Sequence, residues 1–448
     1  MKKAYIIVDL CYGDAGKGTI VDFLSRQSPN SLIVRYNGGA QAAHNVVTKE
    51  GLHHTFAQFG SGTLFPTTKT HLSRFMLVNP YALNAENDHL VMLGCNDALG
   101  RLTIEEDALI TTPFQQAANR IKESIYGEHL SGSCGKGIWE TVSDAEKFSE
   151  PIRIKDFRNH RELINKLKFI QSVKRIETAN LIKDKVINDP TIRYEIDLLE
   201  DTYNCELVYE YYINFLKKVK VVDSTYLDKA IQESSQVIFE GAQGILLDPR
   251  WGFSPYTTWT DITPRNVYKL FSYKKEISIE TIGIFRTYFH RHGPGPFVTQ
   301  DMSVILPELH NDNNRWQKHF RTGYFDFVAA KYAIGCCRMP DSLAITHLDY
   351  LPSMEKKVCI AYEYTGNETL LLPKYFKLSS KRTITEIIPQ ENIPLDKEQQ
   401  ARMLFEMKPI FIDYACDFIK LIELDLGIKV KITSSGMTAE DKKFIKEK

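Results

Sequence analysis

Residues 4–10 form an almost unbroken apolar run, the pattern of a strand buried on both faces of a parallel sheet. A glycine-rich turn follows, and Ile20-Val21-Asp22-Phe23-Leu24 continues with helical spacing. Further strands are expected at 32–36 and 89–93, and a helix over 112–127, so that residues 4–110 read as alternating strands and helices. Residues 140–235 are more polar, with amphipathic helices near 161–169 and 207–219. A short buried strand at 237–240 runs directly into a second glycine turn. Core strands are expected at 277–285 and 342–347, and a strand-like run at 357–362. Helical spacing returns over 397–421, where Pro409 is expected to break or kink it. Loops with chemistry at strand ends point to an open α/β sheet.

The first turn, Gly13-Asp14-Ala15-Gly16-Lys17-Gly18-Thr19, is built as an anion cradle. Backbone N–H groups and a helix N-terminus face the anion, and Lys17 adds charge. It is not a P-loop: Cys11 stands where that motif needs its first Gly, and Gly18 where it needs Ser or Thr. Asp14 sits inside the site, where it should repel phosphate. A carboxylate there makes sense if it binds Mg²⁺ or takes a proton from a substrate; its bland alternative is a helix N-cap. His44 lies in a second loop of small residues, Gly38, Gly39, Ala40, Ala42 and Ala43, which let the backbone approach a ligand.

Composition narrows the class. The 448 residues show no linker, repeat or low-complexity tract, so one domain over 1–448 is expected, with 140–235 a variable helical region inside it. Lys plus Arg and Asp plus Glu both number 56, so no global field recruits nucleic acid or a membrane. No apolar run approaches 18 residues, and the start lacks a signal-like core. The eight cysteines form no CxxC and no zinc spacing, which reads as reduced thiols in the cytoplasm.

The first heptad resembles the leading signature of adenylosuccinate synthetases, and five further motifs follow in the family's order. They are residues 34–44; Phe239-Glu240-Gly241-Ala242-Gln243-Gly244 with Leu246-Leu247-Asp248; residues 291–297; Thr346-His347-Leu348-Asp349; and Ser434-Ser435-Gly436. The resemblance runs from about residue 4 to about 442 and is weak between about 140 and 235. It implies a large, mostly parallel central sheet flanked by helices, P-loop-NTPase-like without a Walker A. It also implies a homodimer that joins L-aspartate to IMP at the expense of GTP, with one Mg²⁺ per subunit.

On this resemblance Asp14, His44 and Gln243 are the catalytic residues. Asp14 binds Mg²⁺ and removes the N1 proton of the 6-oxopurine. His44 protonates or hydrogen-bonds the oxygen being phosphorylated. Gln243 meets the purine edge. Gly13, Ala15, Gly16, Lys17, Gly18 and Thr19 hold GTP phosphates, Asp349 reads guanine, and His347, Ser434, Ser435 and Gly436 pack against it. Asp14, Gln41, His44, Ser133, Cys134, Gln243 and Thr258 contact IMP, and the Ala43 carbonyl joins Asp14 on the metal. Arg315, Lys318 and Arg321 hold the aspartate carboxylates. The chain departs from the family at several of these positions. Gln41 replaces Asn, Ala43 replaces Gly, His347 replaces Lys, and Ser133-Cys134 stands where two threonines are usual. The family's partner-chain arginine falls near Phe148, so it is missing or replaced by Lys147 or Arg153. Two other readings stay open: a phage-type relative acting on dGMP, which the unusual segments 260–266 and 316–317 keep alive, and a guanine-nucleotide switch or inactive binding paralogue.

Overall fold

The computed structural model describes residues 2–126, 133–149, 151–183, 185–270, 277–307, 320–390 and 394–445. Among these, ten strands form the central sheet. In chain order they are β1 Lys2–Asp9, β2 Leu32–Arg35, β3 Lys69–Leu72, β4 Leu102–Glu105, β5 Lys220–Val222, β6 Gln236–Gly244, β7 Ile277–Arg286, β8 Ser342–Thr346, β9 Val430–Ser434 and β10 Lys442–Phe444. Their order across the sheet is β10-β9-β8-β7-β1-β6-β2-β3-β4-β5. Every pairing is parallel except β9 with β10.

β1 is central. Ile6 and Val8 join one hydrophobic cluster and Tyr5 and Ile7 another, so both faces are covered, as a continuous apolar strand requires. The chain leaves β1 through helix α1, Lys17–Arg26, for β2, while β7, β8 and β9 extend the sheet on the other side. The carboxyl end of β1 is therefore a switch point in strand order, where a crevice opens in sheets of this kind.

Residues 89–93 are not a strand. They end the helix Pro80–Met92, which starts at an Asn79 cap whose side chain accepts from Ala82 N, with Pro80 at its first position. Leu83, Glu86 and Leu90 are its buried stripe. The 112–127 helix runs Pro113–Tyr126. The expected 161–169 helix is the middle of a longer one, His160–Ile182. That expected at 207–219 is Asn204–Leu216, stopping where the chain turns to add β5 to the sheet edge. Residues 397–421 divide into a helix Pro394–Phe405, a strand Met407–Asp413 and a helix Phe418–Leu426. Pro409 lies within that strand, at the edge of a four-stranded antiparallel sheet, where a missing N–H is tolerated.

Candidate functional site

Asp9 ends β1 and organises the turn after it. Its carboxylate accepts from Cys11 N at 2.9 Å and Ala15 N at 2.8 Å, and takes the Lys17 Nζ at 2.9 Å. Both members of that ion pair are buried, so Lys17 reaches the site already partnered. Gly13, Asp14 and Gly16 take left-handed φ of 96, 58 and 98°. The helix cap is Gly16, without a side-chain bond, so Asp14 does not cap α1. Its carboxylate lies 3.7 Å from His292 Nδ1. Burial pushes the Asp14 carboxyl up, but His292, His290 and Lys17 outweigh it and hold the group well below the usual carboxylate range.

His44 opens a hairpin, His44–Val47 with His53–Phe56, that packs on the start of α1. A Cβ at Gly18 would stand 2.7 Å from the His44 Cβ. That approach explains why Gly occupies the position at which a P-loop carries Ser or Thr. The His44 Nδ1 is 2.6 Å from Glu240 Oε1. Glu240 in turn accepts from Ser61 N at 3.0 Å and from the Ser61 hydroxyl. Burial lowers the His44 imidazole below its ordinary value against the pull of Glu240. Glu240 resists its own burial through Arg35, its neighbour across the β6–β2 ladder, through His44 and through Ser61, and is held at about 2. His44 Nε2 is buried with no partner among the described residues.

β7 and β8 end at Arg286 and Thr346, on the same crevice. His347 follows with φ 59°, its ring against those of Tyr288 and Tyr350 at centroid distances of 5.7 and 5.5 Å. Burial, then Arg286, His290 and Lys442, hold its imidazole well below the ordinary value. One cavity is walled by Asp14, Gly16, Lys17, Gly18, Thr19, Ala43 and His44 together with Arg286, His347, Asp349, Ser434 and Gly436. Ser435 is exposed beside it, its N–H bonded to the Asp441 carbonyl at 3.0 Å. Ala43 is not among the residues with positive φ, so its Cβ is accommodated.

Gln41, Ser133, Cys134, Gln243 and Thr258 stand outside the walls of this cavity. Gln243 has φ 62° and a buried Oε1 with no partner among the described residues. Both amide atoms of Gln41 are in the same condition. A ligand that supplied partners would remove the cost of burying them. Gly244 shows how tightly this loop docks on the first: a Cβ there would lie 2.2 Å from the Cys11 carbonyl oxygen. The Ser133 hydroxyl is engaged with Asn119, at 2.9 and 3.1 Å. Burial pushes the Cys134 thiol up to about 11. Thr258 donates its backbone N–H to Leu247 O at 2.7 Å. Arg315 and Lys318 lie outside the described residues. The Arg321 guanidinium donates to Gly293 O at 2.6 Å, Gly295 O at 3.0 Å and Gln300 Oε1 at 2.9 Å, bracing the glycine–proline turn.

Sequence reasoning missed Asp9, Glu240 and Arg286. Asp9 and Glu240 each carried a signal, a carboxylate inside an apolar strand run just ahead of a glycine turn. Arg286 carried a weaker one, a cation closing the apolar strand 277–285.

Comparison with known proteins finds one family over nearly the whole chain. The sequence model of the adenylosuccinate synthetase family matches residues 6–442. An adenylosuccinate synthetase of Trichormus variabilis is 31% identical over 432 residues, which cover 94% of this chain and 91% of that protein. That of Crocosphaera subtropica is likewise 31% identical over 432 residues, with the same coverage of 94% and 91%. The solved structure of fully ligated adenylosuccinate synthetase from Plasmodium falciparum aligns with a TM-score of 0.74 at 20% identity, covering 99% of each chain. The cyanophage S-2L succinoaminodeoxyadenylate synthetase, solved with dGMP and with dATP as an energy donor, aligns at 0.58 and 15% identity, covering 99% of this chain and 95% of that one.

Proposed function

The chain belongs to the adenylosuccinate synthetase family, and from that footing we propose that it ligates L-aspartate to IMP with GTP as the energy source. The products are adenylosuccinate, GDP and phosphate. The observation that carries the reading is a cavity that joins the Asp14–Lys17 turn to Asp349 and to a His44 Nε2 with no partner among the described residues. Phosphoryl transfer asks chiefly for positioned phosphates, charge stabilisation and a base.

Asp14, held ionised by its histidine neighbours, accepts the N1 proton of IMP. The O6 lone pair then attacks the γ-phosphorus and the bond to the β-phosphate oxygen breaks, releasing GDP. His44 Nε2 faces the oxygen being phosphorylated, while Glu240 holds the other side of the ring. In the second half-reaction the aspartate amine adds at C6, the phosphate leaves with the C6–O6 electron pair, and the added nitrogen gives up one proton to solvent. Gln243 Oε1 and the Gln41 amide, buried without partners among the described residues, take partners on the nucleotide. Asp349 accepts from guanine N1 and its 2-amino group, and the His347 ring stacks near the base. Ser133, Cys134 and Thr258 are assigned to the IMP phosphate side, and Arg315, Lys318 and Arg321 to the aspartate carboxylates.

The residues fit one Mg²⁺. The Asp14 carboxylate is ionised, Ala43 shares its cavity, and both offer hard oxygen donors. Among the described residues no three His, Cys, Asp or Glu side chains could hold a metal alone, which suits an ion that takes its remaining ligands from phosphate and water. When bound, it supplies positive charge to the transferring phosphates. The reading extends to a cytoplasmic homodimer without nucleic-acid or membrane partners. Among the described residues no helix is long and apolar enough to cross a membrane.

The test is a substrate matrix: IMP, GMP and dGMP against GTP and ATP, with and without aspartate, followed by phosphate release and product mass. The expected pattern is turnover only with IMP, GTP and aspartate together. Turnover with dGMP in place of IMP overturns the IMP assignment, and GTP hydrolysis without IMP or aspartate overturns the ligase.

A further inference from the structure

The Gly13–Gly16 turn after β1 is held, carbonyl by carbonyl, by side chains from β7 and β8, on one side of β1, and from the hairpin that follows β7. Gly13 O accepts from His290 Nε2, Asp14 O from Arg286 Nε at 2.8 Å, and Ala15 O from the Thr346 hydroxyl at 2.8 Å. The three donors come from β7, from the adjoining strand Phe289–His292 and from β8, about 270 to 330 positions along the chain from the turn. All three side chains are buried.

In a trans peptide the N–H points opposite to the C=O. Fixing Gly13 O therefore fixes the direction of Asp14 N–H, and fixing Ala15 O fixes that of Gly16 N–H. The peptide between them is clamped at both ends, its oxygen by Arg286 and its Ala15 N–H by the Asp9 carboxylate. No described residue accepts from Asp14 N–H or Gly16 N–H. They are the amides that this turn offers beside the open start of α1. The clamps also explain how Asp14 is kept at φ 58°, a left-handed conformation unfavourable for a residue with a Cβ.

We propose that His290, Arg286 and Thr346 are positioning residues for the donor nucleotide, pre-setting the amide dipoles of the Gly13–Gly16 turn toward its phosphates. The proposal rests on the reading of this turn as the GTP phosphate site. Dipoles fixed before the ligand arrives need no reorganisation when charge moves during transfer. Without the clamps the three peptides can rotate, and their carbonyls would repel the same anion.

Two variants remove one donor each while keeping shape. Thr346→Val deletes the hydroxyl. His290→Phe deletes the Nε2 donor but keeps a ring to stack on Phe320, whose centroid lies 5.3 Å from that of His290. Thr346→Val could also disturb His347, whose Nδ1 is 2.9 Å from the Thr346 hydroxyl, and His290→Phe reads the same turn without that contact. KM for GTP should rise about tenfold or more in both, with KM for IMP and for aspartate within about twofold. Calorimetric Kd for GDP should weaken in parallel. Thr346→Ser, which restores the donor, should return KM for GTP to within about threefold of the unmodified enzyme. Unchanged GTP and GDP values in both variants overturn the proposal, as does a common rise of all three KM with a lowered Tm. Failure of the unmodified enzyme to use IMP and aspartate would instead overturn the ligase reading, and GDP binding would still test the clamps.

Discussion

Replacing Glu240 by Gln keeps the size of the side chain and removes its charge, and the geometry dictates what happens next. Glu240 Oε1 receives both His44 Nδ1–H, at 2.6 Å, and the Ser61 hydroxyl, while Oε2 receives Ser61 N–H at 3.0 Å. An amide has one oxygen. If its NH₂ takes the place of Oε2, it meets the Ser61 N–H, donor against donor. If it takes the place of Oε1, it meets His44 Nδ1–H. Either way one buried donor loses its acceptor, and Arg35 loses the carboxylate beside it. A hydrogen bond to a charged group contributes about 1.5–3 kcal/mol. In both orientations His44 loses its charged acceptor, which should lower kcat by roughly 10- to 100-fold. KM for GTP should stay within about threefold, because what loses its direction is His44 Nε2, which is assigned to the IMP oxygen being phosphorylated. Continuous phosphate release at saturating IMP, GTP and aspartate reads kcat, and Tm shows whether the variant is folded. A folded Glu240→Gln enzyme with kcat within twofold of the unmodified one would refute the dyad, as would a loss confined to KM.

Asp14→Asn should cost at least about a thousandfold in kcat, roughly 4 kcal/mol of barrier, with IMP affinity within about tenfold by calorimetry; retention of a tenth of the activity would remove Asp14 from the base role. Asp349→Asn should weaken GTP by roughly 1–3 kcal/mol without affecting aspartate, and an unmodified enzyme that uses ATP as well as GTP would contradict that assignment. Gly18→Ala places a Cβ 2.7 Å from that of His44, so the hairpin must move; kcat should fall by about tenfold or more, and unchanged turnover would show that the hairpin yields freely. Asp326 is buried, and burial pushes its carboxyl up to about 6 while it accepts from Ala329 N and the Tyr362 hydroxyl. Its raised folded value means that its contribution to stability is complete below about pH 4 and is lost as pH rises through about 6. Asp326→Asn should therefore gain on the unmodified protein, by roughly 2–3 kcal/mol, between pH 4.5 and 7.5; a Tm difference independent of pH would refute it.

Much of the fold and part of the site was legible along the chain, for local reasons. The apolar run at 4–10 could only be a two-faced strand, and the heptad after it could only be a turn opening a helix, because glycine placement and apolar spacing are properties of neighbouring residues. The loops carrying Asp14 and His44 read the same way, while Gln243 and Asp349 were singled out by the resemblance to the family's motifs. Where local pattern misled, a nearby or distant partner had decided the outcome. Residues 89–93 read as a strand because of their apolar end, yet the Asn79–Pro80 cap upstream commits them to a helix. Pro409 read as a helix breaker, yet an edge position beside Lys357–Tyr364 lets it sit in a strand.

Tertiary structure alone decided what each functional group does with its charge and direction. Lys17 reads as a phosphate countercharge, but Asp9, eight residues earlier, already neutralises it. His44 reads as a loop histidine, but its free nitrogen is chosen by Glu240, 196 residues away. Arg321 reads as a carboxylate ligand, but what the fold shows is a guanidinium bracing the turn at Gly293 and Gly295. The carbonyls of the first turn are aimed by His290, Arg286 and Thr346, none of which any local motif connects to it. Spacing specifies which atoms lie near each other within a few residues. Ionisation and hydrogen-bond direction depend on burial and on partners brought from elsewhere, and only the closed sheet supplies those.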